Sequence, residues 1–178
     1  KVADIDFTIT NSEQEAFILE NSLIKKHRPY YNVRLEDGKS YPYLKITLSE
    51  EWPGAQLTRR LTEDGSRYFG PFASASSLRK TMNLVNKLFP YRTCKKVITG
   101  TDARPCLKYH INRCAGPCIG AVNREEYRGI IAQVILFLEG KHKRVIRSLK
   151  KKMSKAAASL EFEKAASLRD QIQAIESI

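Results

Sequence analysis

The run from Val2 to Thr10 alternates apolar and polar residues as a half-buried strand does. A strand there needs partners, and the next strand-like run begins only at Tyr43. We therefore expect residues 2–10 to be the interior of a domain whose other strands precede Lys1. Ser12-Glu-Gln-Glu15 has the form of a capping box, with a hydroxyl at the N-cap and a carboxylate three residues on. The helix it opens should run to about His27, because Pro29 disfavours helix in the residue before it. Lys25, Lys26, His27 and Arg28 crowd its C-terminal end, where cations suit the dipole.

Val33 to Lys39 reads as a charged loop, and Tyr43 to Leu48 alternates as a strand that Pro42 restricts to an edge or a start. Gln56–Leu61 and Arg67–Phe69 flank Thr62-Glu-Asp-Gly65-Ser, the chemistry of a hairpin turn. From Ser74 to Phe89, Leu78, Met82, Val85, Leu88 and Phe89 fall at helical spacing until Pro90 stops them. Residues 94–118 show little periodicity. Asn123-Arg-Glu-Glu126 opens another capped helix that ends near Gly140. Val145–Ala158 and Phe162–Ile178 predict a helical hairpin: Leu149, Met153, Ala156, Ala157 and Leu160 face Ala165, Ala166, Leu168, Ile172 and Ile175. The fold class is α+β and helix-rich, divided at 1–48, 49–90, 91–122, 123–141 and 142–178.

Composition narrows the function. Hydrophobic residues make up 42% and charged residues 28%, a globular balance rather than a disordered one. No stretch approaches the roughly 18 consecutive apolar residues of a membrane span. The chain does not open on a basic-then-apolar leader, so a cytoplasmic location is expected. The net charge of +12 points to a polyanionic partner. It is unevenly placed: residues 1–50 carry −1, while 51–100 and 101–150 carry +6 each. Arg79, Lys80, Lys87, Arg92, Lys95, Lys96, Arg104, Lys108 and Arg113 face only Asp102, with Tyr91 and Tyr109 among them. That density favours contact with a nucleic-acid backbone over a merely solvated surface.

Three constellations could carry chemistry. Glu20 falls on the helical face shared by Ala16, Leu19, Leu23 and Ile24, where a carboxylate is costly unless a cation meets it. It is either half of a buried ion pair or a metal ligand or acid–base group. Asn32 is a turn residue or a neighbour in the same cleft. Cys94, Cys106, Cys114 and Cys118 are the only cysteines, spaced C-x11-C-x7-C-x3-C. Four thiols so concentrated argue for metal rather than disulfides. The spacing lacks the paired C-x2-C of a zinc ribbon, and Ala115-Gly116-Pro117 between the last two suits backbone N–H groups directed at sulfur. On spacing alone Zn and [4Fe–4S] stay level, with His110 a weak alternative ligand. The terminal hairpin, finally, buries too little to stand alone. Its seam expects the rest of the chain or a partner hairpin, and Phe162 beside the turn should project outward.

Together these runs resemble the UvrC family, the incision subunits of bacterial nucleotide-excision repair. Residues 15–33 (EAFILENSLIKKHRPYYNV) resemble the back half of that family's GIY-YIG nuclease domain. Residues 37–43 (DGKSYPY), 68–72 (YFGPF), 104–110 (RPCLKYH) and 113–118 (RCAGPC) resemble its central region, and 160–170 (LEFEKAASLRD) its UVR motif. The resemblance implies a remnant of a small α/β nuclease domain at 1–48, a Cys-bearing middle and a UVR hairpin at 142–178. It implies an endonuclease that cuts damaged double-stranded DNA using one divalent ion, Mg or Mn, held by the Glu that Glu20 matches, with Asn32 beside it. It associates the four cysteines with a [4Fe–4S] cluster and tips the choice away from Zn. It implies docking of the hairpin, through Phe162, Ala165 and Leu168, to the homologous hairpin of a UvrB-type helicase subunit. The GIY and YIG strands with their tyrosines and catalytic Arg have no counterpart in these residues, so the chain alone is not expected to cut DNA. The competing expectation is a non-enzymatic, metal-stapled adaptor that binds nucleic acid and recruits a partner through the same hairpin.

Overall fold

The computed structural model describes residues 4–10, 13–27, 29 and 41–177. Helix α1 (Glu13–His27) stands where the sequence places it. Over its described residues, the strand expected before it does not form. Residues 4–10 have no regular structure, and Ile5, Phe7 and Ile9 are exposed. The physical reason is that a strand is stabilised only by partner strands, and the sheet that the described residues form does not take in this run.

A three-stranded antiparallel sheet follows: β1 (Tyr43–Ile46), β2 (Ala55–Thr58) and β3 (Arg67–Phe69), in the order β2-β1-β3. The predicted hairpin between the second and third strands is not the pairing found. Both lie against β1, with Leu44 opposite Leu57 on one side and Phe69 on the other. The central place goes to the strand with the strongest alternation, whose Leu44 and Ile46 are fully buried. Pro42, just before it, costs no ladder bond there.

The core lies where this sheet meets four helices. α2 (Ala75–Leu88) starts on Ser74, whose hydroxyl accepts from the Ser77 N–H at 3.0 Å, and buries Leu78, Val85 and Leu88. A four-residue helix, α3 (Leu107–His110), and a 3-10 turn at Pro117–Ile119 interrupt the Cys-bearing stretch. α4 (Arg124–Leu138) has the predicted capping box in full: Asn123 accepts from the Glu126 N–H and Glu126 reaches back to the Asn123 N–H. Its Tyr127, Ile131, Val134 and Phe137 complete the core with Phe89 and Tyr91. The terminal hairpin is α5 (His142–Ala158) and α6 (Phe162–Glu176), joined through Leu160 at φ 60°. Its base is built into the core through Val145, Leu149, Ile172 and Ile175. The Gln171 side chain donates to the Leu88 carbonyl. The seam therefore takes the rest of the chain as its partner at one end. Among the described residues no helix is long and apolar enough to cross a membrane.

Candidate cysteine-centred site and nucleic-acid interface

The Cys-bearing segment has almost no secondary structure of its own and is held by single contacts to its surroundings. Buried Asn86, on α2, donates through its amide to the carbonyls of Tyr91 and Arg113, both at 3.0 Å. It thereby ties together the two ends of the segment. Ala115 N–H donates to the Pro90 carbonyl at 2.8 Å, and Asp102 N–H to the Cys118 carbonyl at 2.9 Å. The Tyr127 hydroxyl accepts from Arg92 N–H and donates to the Pro53 carbonyl. Gly116 has φ 72°, and a Cβ there would sit 2.6 Å from the Tyr109 ring, so both backbone and space require glycine.

Within this frame the four thiols come from separate places. Cys94 follows the core, Cys106 is the N-cap of α3, Cys114 precedes Gly116, and Cys118 lies in the 3-10 turn. All are free; Cys114 and Cys118 are buried, Cys94 is half-buried and Cys106 exposed. They share one electrostatic environment. Burial pushes the Cys114 thiol up, repulsion from Cys106, Cys94 and Cys118 adds to it, and a hydrogen bond from the Gly116 N–H opposes it. Burial likewise raises Cys118, against the pull of the Lys96 ammonium. Lys96 in turn hydrogen-bonds Asp102 and holds that carboxyl below its usual range. Among the described residues, no three His, Cys, Asp or Glu side chains converge closely enough to form a ready metal site. The donor set fits a thiolate-held group in its chemistry, in the proximity of its charges and in the N–H directed at Cys114. It does not fit as a closed coordination cage.

The predicted DNA-contacting cations divide. Arg79, Lys80, Lys87, Lys95, Lys96, Arg104 and Lys108 are exposed and Arg113 is half-exposed. Lys96 is engaged by Asp102, and Lys108 donates to the Thr93 hydroxyl. Arg92 is a correction. It is 8% exposed, donates to the carbonyls of Trp52 at 2.6 Å and Cys94 at 2.9 Å, and pairs with Glu50. Its charge is spent inside the fold because the chain must turn there from the core into the Cys segment with its carbonyls satisfied.

Glu20 is exposed, not buried in an apolar stripe; Ala16 and Leu23 on the same face are exposed too, and Ile24 is the buried member. The expected cost of a buried carboxylate therefore does not arise. Asn32 lies outside the described residues. At the hairpin tip, Phe162 is 66% exposed and Leu160 72%. Ala165 and Leu168 are half-buried, and Leu168 packs against the core, so much of its surface is already used within the chain.

Comparison with known proteins gives this arrangement a family. A model described as the UvrC/Cho excinuclease middle domain matches residues 41–137, which contain the sheet, α2, all four cysteines and all of α4 but its last residue. The chain belongs to the UvrC/Cho excinuclease family. The UvrB/uvrC motif matches residues 143–178, the α5–α6 hairpin, and a UvrC-like GIY-YIG domain matches 1–33. The chain is 54% identical over 177 residues to UvrABC system protein C of Moorella thermoacetica, with 99% of it covered. It is 53% identical over its whole length to that of Desulforudis audaxviator and 51% to that of Carboxydothermus hydrogenoformans. In each case it spans 29% of the relative's length. No solved structure matches.

The fold also exposes residues that no motif flagged. Asn86 holds the Cys-bearing segment in place, yet in sequence it is one polar residue within an amphipathic helix. Its signal was its position on the face of Leu78, Met82 and Val85, where an amide must find buried partners.

Proposed function

We propose that this chain is part of a DNA-repair endonuclease that incises damaged double-stranded DNA in nucleotide-excision repair. The observation that supports this reading most is the co-occurrence, in order along one chain, of the UvrC-like GIY-YIG, UvrC/Cho middle and UvrB/uvrC matches. The adaptor reading accounts for the hairpin but leaves the nuclease-domain match without a purpose.

In this proposal Glu20 contributes one carboxylate to a divalent ion, Mg or Mn, which would stabilise charge on the phosphodiester being cut. Its exposure suits a group that must meet substrate and metal together, and Asn32 is the second residue assigned to that role. Cys94, Cys106, Cys114 and Cys118 hold a [4Fe–4S] cluster, with Zn as the alternative. A cluster there would cross-link a segment that has little regular structure. The Gly116 N–H on the Cys114 sulfur is the kind of contact that stabilises cluster thiolates. Arg79, Lys80, Lys87, Lys95, Arg104 and Arg113 meet the DNA backbone, and the exposed Phe162 docks the hairpin onto a UvrB-type subunit.

The test is Glu20→Ala in the full-length protein. Loss of one incision with DNA binding retained is expected, and unchanged incision would overturn the catalytic role. For the cysteines, iron, sulfide and zinc are measured per chain after anaerobic purification. About four irons and four sulfides are expected for this cluster type; stoichiometric zinc without iron would replace the cluster with a zinc site.

A further inference from the structure

Helix α5 carries seven Lys or Arg residues and no Asp or Glu, whereas α6, the other arm of the hairpin, carries two against three. At roughly 100° per residue, Lys150, Lys143, Arg147, Lys151, Arg144 and Lys155 follow one another around an arc of about 140°. That arc lies opposite the buried stripe of Val145, Leu149 and Ala156. All six are exposed; Lys152, also exposed, lies off this arc, about 20° from Val145. Among the described residues Lys150 pairs with Glu176 at 3.3 Å, and the other six cations of α5 form no ion pair. From Lys143 to Lys155 the row is about 18 Å long, which runs alongside about ten phosphate charges of a duplex.

The stability of α5 does not explain this face. His142, Lys143 and Arg144 fill its first turn, where the helix dipole favours acids, and no side chain caps it. The neighbouring Glu139 carboxylate is taken by Arg67 and Lys141. Lys143, Arg147, Lys151 and Lys155 succeed each other at four-residue intervals, so each repels the next. Nor does the face suit a protein partner, since interface cores favour aromatic residues and Met and are depleted in Lys. Five of the seven cations are Lys, and the arc carries no apolar side chain larger than the exposed Ala158.

We infer that the outer face of α5 is a second nucleic-acid backbone contact, separate from the Cys-proximal cations, so that the hairpin holds duplex DNA along one arm. The inference rests on the proposal that the chain engages DNA and adds a surface to it. The contact is with phosphates and carries no sequence preference.

The experiment titrates a short fluorescein-labelled DNA duplex of mixed sequence with the 178-residue chain at several salt concentrations. It compares Lys143→Gln/Arg144→Gln/Arg147→Gln/Lys151→Gln with a charge-matched control, Arg59→Gln/Arg60→Gln/Lys164→Gln/Arg169→Gln. Gln supports helix, and circular dichroism verifies that both variants keep their helical content. The α5 variant should lower the slope of log affinity against log salt by about three to four, near 0.9 for each phosphate that is no longer neutralised. The control should retain most of the slope. An α5 variant with unchanged slope and affinity, while the parent chain binds with a salt dependence, overturns this surface alone. Equal losses in both variants would assign the effect to net charge and overturn it as well. A parent chain without salt-dependent binding would overturn it together with the chain's DNA engagement.

Discussion

The Cys-bearing segment and the terminal hairpin are both parts of the same small core, yet they are held by opposite means. The hairpin follows from periodicity: one apolar stripe on each arm meets the other, and Val145, Leu149, Ile172 and Ile175 continue that stripe into the core. The segment at 91–122 has no such stripe. It is held by Asn86, by the Ala115–Pro90 bond, by Tyr127 and by a glycine that no other residue can replace. Redundant apolar contact tolerates change at its margins, as the exposed Leu160 and Phe162 illustrate. Single polar contacts do not, since each has no substitute. A segment made in this way gains most from an added cross-link, which is what four thiols in one region can supply.

The contrast can be broken from either side. The largest effect should come from Leu149→Ala, which removes a fully buried side chain where the hairpin joins the core. A loss of about 2–5 kcal/mol is expected, seen as a lower urea midpoint, with hairpin and core unfolding together. A hairpin that melted separately from the core would show that the shared stripe does not couple them. Asn86→Ala should cost about 1–3 kcal/mol by leaving the Tyr91 and Arg113 carbonyls without their donor. Unlike Leu149→Ala, it should act locally, speeding the reaction of Cys114 and Cys118 with a thiol reagent in the metal-free chain. Thiol reactivity equal to the parent's would mean that Asn86 does not hold the segment. Gly116→Ala forces a Cβ into the Tyr109 ring at a positive φ and should cost about 1–3 kcal/mol. It should also reduce the amount of metal bound per chain, whereas Gly129→Ala, where a Cβ meets nothing, should leave it unchanged.

The smallest effect concerns the sheet. Lys45 hydrogen-bonds Asp64 and holds its carboxyl below the usual carboxylate range, with Ser66 helping. A depressed carboxylate adds stability above its unfolded value and loses it as pH falls through the folded one. Asp64→Asn should therefore lower Tm slightly at neutral pH, and the difference should shrink in strong acid. A difference that persisted there would assign the effect to something other than ionisation.

Much of this molecule was legible in its periodicities and caps. Ser74 and Asn123 mark helix starts because a short polar side chain before an apolar run has one good use there, and Pro90 and Gly140 mark the ends for equally local reasons. The cysteine spacing and the acid-free run of α5 could likewise be counted along the chain. Other features could not. Turn chemistry at 62–66 suggested that β2 and β3 pair, but the turn is compatible with either topology, and burial of Leu44 and Ile46 gave the central position to β1. Arg92 is indistinguishable in sequence from its exposed neighbours. Only the packed structure brings Glu50, Trp52 and Cys94 around it and removes it from the surface. Glu20 and the run at 4–10 show the converse, since an apolar pattern is buried only where a partner is present. Local chemistry thus determined where elements begin, end and carry charge. Which strand is central, which cation is spent inside and which thiols share a field depend on contacts between residues distant in the chain, and those were decided by the tertiary structure.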